Sequence, residues 1–408
     1  MPDRETARPS ASRAWHRRIH AWTTSVDAAL GFGERWFARR GMRTCEPAQG
    51  LAGAKSILVV RLDKIGDVVL NSSFLRELRR SAPAAWITLV VAPETLDLVQ
   101  ACPHVNEALA YDFQVQSRFW RLIRHRRAIA FARSHLWKRR FDLALSPRFD
   151  ADQQHAGFVA YFSGATSRIG WSESVTAARA EINAGEDRLF TRLLQRPVPV
   201  HEAERNLEFL RRIGGSVTDA AAELCLTDHD EMAARRALGS DAPYVVVAPG
   251  AGVPKRLWPA ARFAEAARRL CATGERVVIL GAPSERALGQ EVAAALDGCG
   301  LDLTGQLRLR ESAAVIRGAR LFLCNDTGIA HVAAAVGTSV VVIACHPADG
   351  SDEHENAPAR FRPQGGHVTV VQPPTAQSPC EDGCGAEEPH CVLGVTVDAV
   401  VQAAATAC

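Results

Sequence analysis

Apolar and polar positions along the chain fall into two alternating patterns, and the alternation is played out twice. Short runs at 57–60 and 86–91 have the continuous β-branched character of parallel strands buried on both faces. Segments 68–78 and 94–101 carry apolar residues at helical spacing, and 108–110 and 142–146 read as further strands. The resulting β-α-β-α-β order predicts an open parallel sheet flanked by helices. Residues 150–200 break the pattern. Rich in Gly, Ser and Arg, they read as irregular loops ending in a linker, Arg196-Pro197-Val198-Pro199-Val200. A helix over 202–213 follows. The second half then repeats the alternation, with strands over 244–248, 276–280, 321–323 and 340–344, the last of these being the final clear strand, and another short unit beginning at 301–304. Helices are expected over 260–272, 284–296, 311–318 and 395–407. Two α/β domains of similar build, joined by a linker, would bring their strand ends to face a cleft.

Upstream of the first strand, Trp15, Ile19, Trp22, Val26 and Leu30 recur at spacings of three and four, which puts them on one helical stripe. Arg17, Arg18, Arg39, Arg40 and Arg43 surround it. That combination suits the surface of an anionic membrane; the alternative is that the stripe packs on the protein's own body. A second basic segment spans 116–140, where Arg118, Arg121, Arg124, Arg126, Arg127, Arg133, Lys138, Arg139 and Arg140 occur without an acidic residue. Charge of one sign points to an anionic partner, and membrane phosphates or an acidic glycolipid fit it.

Composition narrows the classes. The 408 residues are 47% hydrophobic and 23% charged, with a formal net charge of +3, too small to imply nucleic acid by itself. No apolar run is long enough to span a bilayer, and residues 1–12 lack the apolar core of a signal peptide, so a cytoplasmic setting is expected. Most of the eleven cysteines sit singly in apolar runs, as small buried hydrophobes do. Cys380, Cys384 and Cys391, with His390 adjacent, could hold zinc or form a disulfide, but a packed tail is the default reading and no metal is assigned.

The candidate chemistry lies at strand ends. Leu321-Phe322-Leu323 stops at Asn325-Asp326-Thr327-Gly328, and an Ala-rich helical pattern through His331 takes over. A helix start of this kind offers unpaired N–H groups to an anion, although Asp and Thr are also ordinary N-caps. Pro249-Gly250-Ala251-Gly252, followed by Lys255-Arg256-Leu257-Trp258, is a Gly-rich strand end with two cations. Gly281 to Glu285 is a third strand end, bearing a carboxylate. In the first half, Arg61-Leu62-Asp63-Lys64-Ile65-Gly66-Asp67 closes the first strand and puts Asp67 at the start of a helix.

These four motifs, in this order, resemble glycosyltransferase family 9, the lipopolysaccharide heptosyltransferases. The resemblance runs from Ile57 to the C-terminus. It implies a GT-B fold of two Rossmann-like domains, with 51–200 on the acceptor side and 201–394 binding the nucleotide-sugar. Residues 1–50 are then a basic amphipathic extension, and 395–408 a C-terminal helix packing back on the first domain. It further implies transfer of heptose from ADP-heptose to a lipopolysaccharide inner-core acceptor, with inversion and without a metal or other cofactor. Asp67 matches the catalytic base. Lys255 or Arg256 matches the cation on the donor phosphates, Glu285 the carboxylate reaching the ribose, and Asp326, Thr327, Gly328 and His331 the donor turn. Arg61, Lys64, Arg121 and Arg124 are expected on the acceptor or membrane side. A position peripheral to the inner face of the cytoplasmic membrane follows, with no nucleic-acid partner.

The residue types make chemical sense independently. Displacing a nucleoside diphosphate from an anomeric carbon needs a base for the incoming hydroxyl, worth about 10²–10⁴-fold in rate. It also needs fixed donors for the departing phosphate. Two departures from the family pattern stand out: Lys255-Arg256 leaves the cation register open, and His346 stands where glycine is usual. Other readings are the same scaffold with another nucleotide-sugar or a protein acceptor, or a non-catalytic sugar-nucleotide binder. A dehydrogenase is disfavoured, since the first strand does not end in Gly-x-Gly-x-x-Gly.

Overall fold

The computed structural model describes residues 26, 29–31, 33, 51–115, 120–196, 198–271, 274–378, 380 and 386–407, with the side chains of 120–122 outside the description. In chain order the principal elements begin with β1 (Ser56–Arg61), α1 (Ile65–Leu70), α2 (Ser72–Ser81), β2 (Trp86–Val91) and β3 (Glu107–Ala110). Next come α3 (Trp120–Phe131), β4 (Leu143–Ser146), α4 (Ala156–Phe162), β5 (Ser167–Trp171) and β6 (Arg192–Leu194). The second half opens with α5 (Glu202–Arg212), α6 (Asp228–Leu238), β7 (Tyr244–Ala248), α7 (Ala260–Leu270) and β8 (Arg276–Ile279). It continues through α8 (Arg286–Ala294), β9 (Gly300–Asp302), α9 (Leu309–Arg317), β10 (Phe322–Asn325) and α10 (Gly328–Ala335). The chain closes with β11 (Val340–Ile343), β12 (Val368–Val371) and α11 (Val397–Ala407).

The strands form two six-stranded sheets, ordered β3-β2-β1-β4-β5-β6 and β12-β11-β10-β7-β8-β9. Each is the doubly wound order of a Rossmann sheet, so the α/β expectation of two Rossmann-like parallel sheets holds. In such sheets ligands bind beyond the carboxyl ends of the strands where the winding reverses, here between β1 and β4 and between β7 and β10. The central strands read as continuous apolar runs because both faces are covered: β1, β7, β10 and β11 are buried almost throughout.

The first sheet contains two strands absent from the sequence reading. Residues 150–200 are not all irregular; they hold α4, β5 and β6. Strand β5 is disguised by Arg168 and Gly170. Arg168 is nevertheless buried, because its guanidinium donates to the carbonyls of Leu189 and Ala165, each at 2.7 Å. Of the N-terminal stripe, Val26 and Leu30 pack into the core of this unit with Tyr161, and the Tyr161 hydroxyl donates to the Leu30 carbonyl at 3.3 Å. Trp15, Ile19 and Trp22 lie outside the described residues.

The chain divides into two compact units, and the division does not follow sequence order. Residues Asp63–Ser81 and Pro93–Ala108, inserted between strands of the first sheet, belong to the unit that contains Val198 onward. Side chains explain this. The buried Glu77 carboxylate of α2 accepts from the Thr218 N–H (2.8 Å) and hydroxyl (3.0 Å). Arg76 donates to the carbonyls of Ala221 and Asp219 and to the Glu223 carboxylate. Phe74 meets Phe209 of α5 edge-to-face, with ring centroids 6.2 Å apart. Helix α11 packs on α7, β11 and β12 of its own unit, burying Val400 and Ala404. The sequence reading had expected it against the first domain. Its apolar face matches the surface left open by β12, a strand that reading also lacked.

Candidate functional site

The second unit's site grows from the reversal point between β7 and β10. Both strands end at the same level, with Cys324 paired in register to Ala248. Asn325, the last residue of β10, is wholly buried and ties three loops together. Its Nδ2 donates to the carbonyls of Pro249 (2.7 Å) and Gly250 (3.3 Å), while its Oδ1 accepts from the Trp258 N–H at 3.1 Å. This amide thus fixes the Gly-rich end of β7 and the cation loop against the donor turn. Trp258 is 1% exposed and locks the loop from behind, its indole N–H donating to the Val395 carbonyl at 2.9 Å.

The two cations of the loop do different things. Arg256 faces inward, donating to the Asp326 carbonyl at 2.9 Å and to the Asn356 side chain, with the Asp326 carboxylate 3.5 Å away. It braces the turn. Burial raises the Asp326 carboxyl above its ordinary value, and Arg256 offsets this only in part. Lys255 is half-buried and makes no hydrogen bond or ion pair among the described residues, which leaves it available to a bound anion.

Helix α10 begins without a cap. Thr327 occupies the N-cap position in extended backbone, but its side chain makes no capping bond. At α6, by contrast, Thr227 and Asp230 form a complete capping box. Within the first turn the Ala330 N–H donates to the Thr327 carbonyl at 3.0 Å, while the N–H groups of Gly328 and Ile329, at the positive dipole end of this eight-residue helix, have no side-chain cap and suit an anion. Glu285 accepts from the Ala282 N–H at 2.7 Å and lies directly beneath Gly250. A Cβ at Gly250 would fall 1.9 Å from the Glu285 carboxylate, so a glycine here lets that carboxylate sit against the end of β7.

Helix α1, which carries Asp67 in its first turn, packs against α10 within the same unit. The contact is made through absent side chains. A Cβ at Gly66 would lie 2.8 Å from the His331 ring, and one at Gly328 would lie 2.7 Å from Ile65 Cβ. Asp67 is half-buried at this junction. His331 is 6% exposed, and burial, helped by His201 and Arg256, lowers its pKa to about 3, so the ring is neutral at any physiological pH. It acts as the wall that Gly66 rests on.

The first-half basic residues scatter. Arg61 ends β1 at 1% exposure, Lys64 is exposed, and Arg124 spends its guanidinium on the carbonyls of Phe113 and Gln153, each at 2.9 Å. The Arg121 side chain lies outside the description. His346, buried, stacks on His354 with centroids 5.0 Å apart. The sequence shows Asn325 as the start of the donor turn but not its bracing role, and it carries no signal for Asn356.

Residues 130–346 match the model of glycosyltransferase family 9 (heptosyltransferase). The chain is 23% identical over 301 residues to lipopolysaccharide heptosyltransferase 2 of Escherichia coli, covering 70% of this chain and 82% of that one. In fold it is similar to the family 9 glycosyl transferase of Veillonella parvula, with a TM-score of 0.69 and 21% identity over 86% of this chain and 97% of that one. It is also similar to the ADP-heptose lipopolysaccharide heptosyltransferase II of Escherichia coli, with a TM-score of 0.64 and 21% identity over 86% and 98%. Family model, relatives and fold agree: the chain belongs to glycosyltransferase family 9 and is a glycosyltransferase.

Proposed function

We propose that the protein transfers heptose from ADP-heptose to the inner core of a lipopolysaccharide precursor, inverting the anomeric centre in one displacement. The observation that carries this reading is the packing of α1 on α10, which sets a carboxylate-bearing helix start beside an uncapped helix start. The Asp67 carboxylate takes the proton of the acceptor hydroxyl as that oxygen attacks the anomeric carbon. The bond to the diphosphate breaks on the opposite face, and the charge it leaves is held by Lys255 and by the N–H groups after Thr327. Losing one such donor costs roughly 3–4 kcal/mol of transition-state stabilisation. Arg256 holds Asp326 and Thr327 in place, and Glu285, beside the end of β7, reaches the ribose. The step as proposed uses no metal.

The donor assignment is supported by the relatives' heptosyltransferase names and tested by a thermal-shift screen of nucleoside diphosphates and their sugars. A ligand at 100 times its dissociation constant stabilises by about 2.7 kcal/mol. ADP-linked ligands should outperform UDP- and GDP-linked ones; preference for UDP or GDP would refute the assignment.

We also propose contact with the inner face of the cytoplasmic membrane. Arg126, Arg133, Lys138 and Arg140 are exposed in the segment 120–140, and Arg139 lies 5.3 Å from the centre of the partly exposed Trp86 ring. No helix among the described residues is long and apolar enough to cross a membrane. Binding to vesicles containing anionic lipid, weakening with salt, is the expected result; equal binding to neutral vesicles would count against it.

A further inference from the structure

Sugar transfer leaves one chemically distinctive cluster unused. Cys380 and Cys391 are 7% and 6% exposed, His390 is half-buried, and the ligating atoms of the three lie within 4.8 Å of one another. The His390 Nδ1 is 3.4 Å from the Cys391 Sγ. Around a tetrahedral zinc with bonds of about 2.0–2.3 Å, neighbouring ligand atoms stand roughly 3.3–3.8 Å apart. One edge of such a site already has that spacing, and the others need a contraction of about 1 Å at most. The donor set is two thiols and an imidazole without a carboxylate. It suits zinc and not magnesium or calcium.

The surroundings favour thiolate ligation. The Gln377 N–H points at the Cys391 Sγ at 3.5 Å, a bond that steadies sulfur charge, and the Gln377 carbonyl accepts from the Cys380 N–H at 2.7 Å, closing a tight turn. Neither Cys380 nor Cys391 is in a disulfide. Cys384 lies outside the described residues and is not one of the three.

We propose that Cys380, His390 and Cys391 bind one zinc ion, with a fourth position left to water or another donor, and that the ion fastens the tail before α11. The tail holds the site from behind. Arg262 donates to the carbonyls of Leu393 (2.7 Å) and Val395 (2.9 Å), and Val395 also accepts from Trp258, the residue that locks the cation loop. Zinc is proposed as a structural clamp on the tail and is assigned no part in transfer.

The test uses the full chain, purified under reducing conditions without a histidine tag, with metal content measured by mass spectrometry. About one zinc per chain is expected, with loss to background in Cys380→Ser and Cys391→Ser. Chelation should lower the wild-type thermal midpoint to that of the variants and leave the variants unmoved. If the variants do not fold, cobalt exchange into the wild type should give a thiolate-to-cobalt charge-transfer band. Zinc-free wild type after growth with added zinc, another metal in its place, no cobalt band, or a mapped Cys380–Cys391 disulfide would each overturn the proposal.

Discussion

Gly66→Ala probes the junction between α1 and α10 directly. The added Cβ falls 2.8 Å from His331 Cδ2 and 3.0 Å from its Nε2. Comfortable carbon contacts begin near about 3.5 Å, so the helices must part by roughly 0.7 Å. The His331 ring is enclosed and cannot swing clear. Overpacking of this kind costs about 1–3 kcal/mol, while replacing Gly by Ala inside a helix returns up to about 1 kcal/mol. Net destabilisation is thus small, about 0–2 kcal/mol. Catalysis is far more sensitive to position: a shift near 1 Å can cost about 10²-fold. Gly66→Ala should therefore lower the transfer rate by about 10- to 100-fold, with ADP stabilisation largely kept, because Gly66 lies outside the donor turn. A double-mutant cycle with His331→Ala supplies the control, since removing the ring removes the clash and should restore part of the rate. A folded Gly66→Ala enzyme at wild-type rate, or purely additive effects in the cycle, would refute the reasoning.

Other consequences follow from the same geometry. Lys255→Ala should weaken ADP binding with little loss of stability, whereas Arg256→Ala should lower stability as well, because it strips Asp326 and Asn356 of their partner; paired thermal melts and titrations separate the two. Glu77→Ala should cost about 1–3 kcal/mol in denaturant unfolding by taking the buried acceptor from the Thr218 N–H and hydroxyl, Arg76 keeping Asp219 and Glu223. His331 gives a pH signature. Its folded pKa of about 3 lies below the unfolded value, so its contribution is intact above about pH 6.5 and declines as pH falls towards 3. Between about pH 6.5 and 5 the loss is roughly 1–2 kcal/mol, and His331→Asn should remove that part of the acid sensitivity.

What the sequence disclosed depended on range. Strands β1, β2, β7 and β10 were legible because each is a continuous apolar run, and strand-end turns stand out where such runs stop. Strand β5 was hidden because Arg168 looks like a surface residue until its carbonyl partners are known. Strand β12, Val368–Val371, was hidden because its short run is interrupted by Thr369 and flanked by His367 and Gln372. At the site, the motif residues were visible one by one, but their juxtaposition was not. Whether Asp67 belongs with its own sheet or with the donor turn is decided by contacts from Arg76 and Glu77 to Thr218, Ala221 and Glu223, over 140 positions away in the chain. The choice between Lys255 and Arg256 likewise waited on Asn356, 100 residues from Arg256.

The central claim, that Asp67 is the base acting across from a diphosphate held by α10, is tested most directly by Asp67→Asn. The substitution keeps the side chain's size and removes its proton affinity. It should leave stabilisation by ADP unchanged and lower single-turnover transfer by about 10²–10⁴-fold. Transfer at near wild-type rate by the folded variant would contradict the account.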